Sequence, residues 1–260
     1  MLEIRNAVKR FNVGQPDEKT ALDGLALRLA AGEFGIVIGS NGAGKSSMFN
    51  AVSGALRLDS GQVLIAGDDV TAEPVHRRAT RVARVFQDPM RGTAASMTIA
   101  ENMLLADLRG QRRGLGRGLT AARRRLYGER LSVLGLGLEN RLDSRVDLLS
   151  GGQRQAVSLI MAVSSQPALL LLDEHTAALD PRTADLVMAA TVQAVQAFNL
   201  TTLMVTHNMQ HAIDHGDRVI MMDAGKVRTE IAGDARRQLT VPALVELFAV
   251  KTDAMLLSVH

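Results

Sequence analysis

The sequence predicts an α/β domain built around a mainly parallel sheet. Three observations carry this: strand-length apolar runs that alternate with helical stretches, a glycine loop lodged between one such run and a helix, and mainly helical patterning over residues 88–165 between two strands.

The elements follow in chain order. LALRL (25–29) alternates as a half-buried strand does, whereas FGIVI (34–38) is continuously apolar, as a strand covered on both faces must be. VARVF (82–86) closes the first half. Thr98 followed by Glu101 is a capping box that opens TIAENMLLADL. ALLLL (168–172), TTLMV (201–205) and RVIMM (218–222) are further buried strands, Pro181 suits the first turn of a helix running to about Phe198, and Thr240 with Pro242 opens a last helix. The helical insertion is too long for one crossover. The expected division is 1–87 with 166–260 as the sheet core and 88–165 as an inserted helical subdomain.

Composition sets outer limits. Of 260 residues 47% are hydrophobic and 22% charged, with 30 Lys and Arg against 27 Asp and Glu, so the net charge of +3 demands no general polyanion partner. No cysteine is present, which excludes disulfides and thiolate metal sites. The N-terminal MLEIRNAVKRF lacks a signal-length apolar stretch, and no run reaches the roughly 18 apolar residues of a membrane span. A cytoplasmic location is expected.

GSNGAGKSS (39–47) matches G-x-x-x-x-G-K-[ST] with a strand before it and a helix after it. That context is what a phosphate cradle requires. The nucleotide-binding loop is Gly39, Ser40, Asn41, Gly42, Ala43, Gly44, Lys45, Ser46 and Ser47: its backbone N–H groups from about Asn41 to Ser47 would hold the β-phosphate of a nucleoside triphosphate, Lys45 would reach the β- and γ-phosphates, and the Ser46 hydroxyl would ligate Mg²⁺. Asp173, the first polar residue after ALLLL, suits the metal through its water shell. Its neighbour Glu174 is then free to orient or deprotonate water. Gln87, in FQDP, offers a carbonyl to the metal and the attacking water.

LLSGGQRQAVSLIMA (148–162) is a second glycine loop running into a helix, with Ser150 as N-cap and Gly151 and Gly152 leaving N–H groups accessible. Together with GSNGAGKS (39–46), Gln87, LLLLDE (169–174), AALD (177–180) and His207 of MVTH, in that order, it resembles the nucleotide-binding subunits of ATP-binding cassette (ABC) transporters. The resemblance implies a P-loop NTPase core with an antiparallel β N-terminal subdomain and an inserted helical subdomain. It implies ATP and Mg²⁺ as ligands, Phe11 stacked on adenine, and His207 on the γ-phosphate. It also implies a head-to-tail dimer in which Ser150, Gly151, Gly152 and Gln153 of one copy close the other's site, with Asp180 coupling the two sites. The helical subdomain then touches an integral membrane permease on the inner face of the cell membrane, with an extracytoplasmic solute-binding protein beyond it and no nucleic acid.

Within that family, a free-standing cassette resembles importers, although exporters use such cassettes too. DEHTAALDPRTADLV with its flanks looks most like the branch assigned to uptake of aromatic amino acids such as tryptophan or tyrosine. His175 stands where most relatives have proline, and Ser47 where threonine is common. His207, His211 and His215 recur every four residues and would share a helix face, a spacing that two-histidine metal sites use, but no nearby carboxylate repeats the metalloprotease pattern and the resemblance assigns His207 to the nucleotide, so no metal is expected there. The arginines 109, 112, 113, 117, 123, 124 and 125 form either a solvated basic face or a contact for anionic headgroups.

Overall fold

The structure, a computed structural model, describes residues 1–111 and 118–247. Four strands, β1 (Leu2–Phe11), β2 (Lys19–Leu29), β4 (Ser60–Ile65) and β5 (Asp68–Asp69), form an antiparallel sheet in the order β2-β1-β4-β5. The second sheet runs β10-β9-β3-β8-β7-β6, from β3 (Phe34–Gly39), β6 (Val82–Val85), β7 (Leu169–Asp173), β8 (Thr202–Val205), β9 (Arg218–Asp223) and β10 (Lys226–Ala232). Its strands pair in parallel except at β10, which is antiparallel to β9.

Both faces of the second sheet are covered, and the strand period of two divides its side chains between two cores. Ile36, Ile38, Leu170, Leu172, Met204, Val219 and Met221 face one core, which holds most of the helical residues. Val37, Leu169, Leu171, Leu203, Val205, Ile220 and Met222 face the other. There they meet Met48, Phe49 and Val52 of α1 (Lys45–Ser53) and the inner residues of the antiparallel sheet. This is why those strands read as unbroken apolar runs.

The short α2 (Val75–Arg78) precedes β6; between β6 and β7 lie α3 (Ile99–Asp107), α4 (Ala121–Ser132) and α5 (Gly151–Ser164). The Thr98 box forms as expected: the Thr98 N–H donates to Glu101 Oε2 at 2.7 Å and the Glu101 N–H to Thr98 Oγ1 at 3.2 Å. After β7 come α6 (Pro181–Ala197), α7 (Met209–Asp214) and α8 (Gly233–Arg237), and residues 241–247 are again helical. Arg112, Arg113 and Arg117 of the basic stretch lie outside the described residues. Of the rest, Arg124 pairs with Asp143 at 2.5 Å and Arg123 donates to the Gly118 carbonyl at 2.7 Å, so part of that stretch braces its own segment.

One buried cation holds the phosphate-loop helix to the antiparallel sheet. Arg78 is 2% exposed and donates to the carbonyls of Ala51 and Val52 near the end of α1, and to those of Val70, Thr71 and Glu73. Helix-end carbonyls have no intrahelical partner, and a buried guanidinium is a multiple donor for them. Arg78→Ala removes a donor from five carbonyls, of which those of Ala51 and Val70 keep the N–H groups of Gly54 and Glu73. It is expected to lower unfolding stability by about 3 kcal/mol, measured by urea melts; a change below about 0.5 kcal/mol would show that the cluster contributes nothing net.

Candidate functional site

In parallel sheets covered on both faces, ligands bind beyond the carboxyl ends of the strands. Here four neighbouring strands deliver the expected residues to one edge. β3 ends at Gly39, β8 leads to His207, β7 ends at Asp173 and Glu174, and Gln87 lies two residues past β6. Gln87 is exposed and lies just outside the strand, because the Phe86 carbonyl accepts from the buried Gln155 side chain of α5 at 3.0 Å.

The glycine loop is shaped by close packing. A Cβ at Gly44, whose φ is +100°, would meet the Ala21 carbonyl oxygen at 2.5 Å, and one at Gly39 would meet that of Met222 at the same distance. α1 then starts without a side-chain cap, so its first N–H groups face an open cleft of about 270 Å³ lined by Asn41–Ser47, Lys19, Ala21 and Phe11. Lys45 is 6% exposed and its ammonium donates to the carbonyls of Gly39 at 2.7 Å and Ser40 at 3.0 Å. Burial pulls its pKa below the ordinary lysine value, and the Glu174 carboxylate offsets part of that. Phe11 is no core residue: it is 38% exposed at the mouth of this cleft, with the Lys9 ammonium 5.6 Å from its ring centre.

Glu174 and His207 meet directly. Nε2 of His207 lies 2.7 Å from Glu174 Oε1, bringing together residues 33 positions apart. The Glu174 backbone sits at φ +47°, a left-handed conformation unusual for a residue with a Cβ, and its N–H donates to the Val205 carbonyl at 3.0 Å. Asp173 pairs with Arg84 at 2.5 Å, a partner that motif reading did not supply. The donors available for a divalent cation are hard oxygens: the Ser46 hydroxyl, Asp173 Oδ1, which accepts no hydrogen bond from a described residue, and the Gln87 amide. That chemistry fits Mg²⁺, which keeps several waters and takes one or two carboxylates beside phosphate oxygens.

The second glycine loop also forms the expected cap. Ser150 Oγ accepts from the Gln153 N–H and Gln153 Oε1 accepts from the Ser150 N–H, both at 3.3 Å. Gly151 is exposed beside Leu179. Gly152 is buried, and a Cβ there would lie 2.2 Å from Thr183 Cγ2, so this glycine also lets α5 approach α6. Arg154 stitches the preceding turn through the carbonyls of Val146, Asp147 and Leu149. Asp180, exposed at the N-cap of α6, accepts from the Thr183 N–H at 3.1 Å; the Thr183 side chain first, and then that backbone bond, hold its carboxyl below the usual range.

The shared helix face expected for three histidines does not form. Asn208 caps α7 by accepting from the His211 N–H at 3.0 Å, so His207 precedes the helix, and His215 follows it in extended conformation. Among the described residues no group of three or more His, Asp and Glu is arranged to hold a metal.

Comparison with known proteins shows the family. Residues 22–177 match the ABC transporter family. The chain belongs to the ABC transporter family. It is 42% identical over 95% of its length, and 98% of the relative's, to a tyrosine transport ATP-binding protein of Clostridioides difficile. It is 34% identical over 87% of its length, and 97% of the relative's, to a lipoprotein-releasing system ATP-binding protein of Roseobacter denitrificans. Among solved structures, the dimeric post-hydrolysis state of an ATP-binding cassette bound to ADP and Pi superposes with a TM-score of 0.75 at 28% identity, covering 89% of this chain and 98% of that one. This cassette is therefore an ATP-binding transport ATPase of that family, with no described helix long and apolar enough to cross a membrane.

His175, placed between Glu174 and the α6 face, is fully buried, and burial, then the nearby His211, drives its pKa down to about 4. Thr191 Oγ1 already donates to the Val187 carbonyl, so His175 Nε2 is the donor in their 3.0 Å bond, and in the neutral ring that the lowered pKa favours the proton is on Nε2. His211, itself bonded to Asp185, and His215 complete the neighbourhood. Above pH 6.5 the ring is neutral in folded and unfolded chains alike. Between pH 6.5 and about 4 only the unfolded chain takes up the proton, so stability is lost as pH falls through that window, by roughly 3 kcal/mol for the full shift. Urea melts from pH 7.5 to 4.5 are expected to show a shallower acid limb for His175→Gln than for the parent. Parallel limbs would remove His175 from that role.

Proposed function

We propose that this cassette drives uptake of an aromatic amino acid, with tyrosine and tryptophan as the class, as one half of a head-to-tail dimer beneath an integral membrane permease. The observation that carries the catalytic reading is the Glu174–His207 pair, standing at the strand edge beside the phosphate loop. Glu174 takes the proton of the water that attacks the γ-phosphorus; the bond to the β–γ bridging oxygen breaks, and ADP and inorganic phosphate leave. His207 holds Glu174 in place and turns toward the γ-phosphate when it is bound. Lys45 exchanges its two loop carbonyls for β- and γ-phosphate oxygens, and Phe11 covers the adenine.

Ser46, Asp173 and Gln87 would hold Mg²⁺, which when bound neutralises phosphate charge. Ser150, Gly151, Gly152 and Gln153 of the second copy close over the γ-phosphate, and Asp180 lies at the contact between the copies. In this reading residues 88–165 are the helical subdomain that meets the permease, 1–87 and 166–260 are the nucleotide-binding core, and an extracytoplasmic solute-binding protein supplies the solute. The 42% relative named for tyrosine transport supports uptake; the 34% lipoprotein-releasing relative supports export instead.

Two measurements test the proposal. Glu174→Gln is expected to retain ATP affinity within about twofold while single-turnover hydrolysis slows on the order of 100-fold or more, and to accumulate as an ATP-bound dimer on size exclusion. Near-parental cleavage would remove Glu174 as the base. Co-purification from the native membrane, followed by reconstitution in vesicles with radiolabelled tyrosine or tryptophan, is expected to give ATP-dependent uptake. Solute moving with the ATP side as donor, or ATPase stimulation by nucleic acid alone, would overturn the import reading.

A further inference from the structure

Arg84 is a charged side chain in the middle of a buried strand, and no motif of the chain accounts for it. It lies on β6 opposite Leu171 of β7 and is largely enclosed, with 14% of its side chain exposed. Its guanidinium reaches three elements at once. Nη2 donates to Asp173 Oδ2 at 2.5 Å, Nη1 donates to Asn50 Oδ1 on α1 at 2.8 Å, and the plane lies 5.0 Å from the Phe86 ring centre, one residue before Gln87. The Phe49 ring of α1 flanks it at 5.9 Å. Burying this group has a cost that shows in the structure, since Nε is enclosed and has no acceptor.

Such a group has two possible effects on the neighbouring acid, of opposite sign. As a bare charge it competes with a cation for Asp173. As a fork anchored at Asn50 it restrains the carboxylate: Oδ2 is engaged by Nη2, and Oδ1 is free of described partners. A flexible aspartate at a strand exit loses rotamer entropy on meeting a metal's water shell; one already held in place does not. The second effect is favoured by the Asn50 bond, which ties the fork to the helix that carries Lys45 and Ser46 and so references Asp173 to the phosphate loop.

Resting on the ATPase reading above, we propose that Arg84 is a positioning residue that presents Asp173 Oδ1 to the metal of a metal–nucleotide complex, and that Asn50 anchors it in that role. Outer partners of this kind typically change metal affinity by about 10- to 100-fold. Lysine cannot reproduce the fork, because one ammonium does not span the carboxylate and the amide in fixed directions.

The readout is nucleotide binding, not turnover: affinity for a fluorescent ATP analogue with Mg²⁺ and in EDTA, on variants first shown folded by circular dichroism. For Arg84→Met, which keeps the apolar stem, the ratio of the two affinities is expected to fall about tenfold, while affinity in EDTA stays within about twofold because Lys45 and the loop are untouched. Arg84→Lys is expected to recover only part of the loss. Should Arg84→Met not fold, Asn50→Ala, which frees one end of the fork at a half-buried site, is expected to lower the same ratio about threefold. An unchanged ratio in whichever variant folds overturns the proposal, and a raised ratio overturns it in favour of simple charge competition. Absence of nucleotide binding by the parent chain would instead sink the ATPase reading itself.

Discussion

The parallel register of β3, β8, β7 and β6 is the constraint on which the site depends. Val37 lies opposite Val205, Met204 opposite Leu172, and Leu172 opposite Val85, so the four strands expire within a residue or two of one another. In a strand buried on one face, a slip of one residue would expose the apolar side and be penalised at once. These strands are apolar on both faces, so the pattern of their middles does not choose the register. The exits do: the Thr206 N–H donates to the Val37 carbonyl and the Glu174 N–H to that of Val205, and Asp173, Glu174 and His207 stand at or just past those bonds. Shifting one strand would draw Asp173 or Thr206 into the core, where an unpaired carboxylate or hydroxyl costs several kcal/mol.

The same exits concentrate backbone strain where chemistry is needed. Gly42 and Gly44 adopt positive φ without a Cβ to object, but Glu174 adopts it with one, a conformation that costs on the order of 1 kcal/mol. It is held by its own N–H bond to Val205 and by the Ala177 N–H, which donates to the Glu174 carbonyl. Directly behind it, the buried His175–Thr191 bond pins the next residue to α6. A proline at 175 would have no ring donor for Thr191; histidine supplies one, and in doing so makes the segment behind Glu174 sensitive to acid.

Much of this was legible in the sequence because the relevant physics is local. A glycine loop between an apolar strand and a helix specifies an anion cradle from nine consecutive residues, the box at Thr98 needs only three-residue spacing to be recognised, and Ser150 reads as an N-cap from its place before the helix. The reading fails where partners are distant in sequence. Nothing local links Arg84 to Asp173, 89 positions on, or Arg78 to the carbonyls of Ala51 and Val52. Spacing also misled at the histidines: a four-residue period suggests one helix face, yet Asn208 begins the helix after His207 and gives that residue to Glu174 instead. Gly152 sits in a loop that reads as an N–H cradle, while its close approach to Thr183 depends on how α5 meets α6.

The long-range contacts converge on Phe86, and this explains how two regions with separate sequence signatures form one mechanical unit. Its carbonyl is held by Gln155 of α5, the helix that begins at the Ser150 box, and the guanidinium groups of Arg84 and Arg91 lie over its ring at 5.0 and 4.9 Å. A few residues on, Gly92 sits so close to α5 that a Cβ there would approach Ser158 Oγ to 2.6 Å. The segment from 86 to 92, which contains Gln87, is thus tied to α5 at both ends and to Asp173 through Arg84. A displacement of α5 relative to the sheet cannot leave Gln87 where it was, because the Gln155 bond and the Gly92 contact move with the helix while the β6 strand does not. Strain from such a displacement falls on Phe86, the single residue between Val85 and Gln87, next to the guanidinium that orients the metal-facing acid.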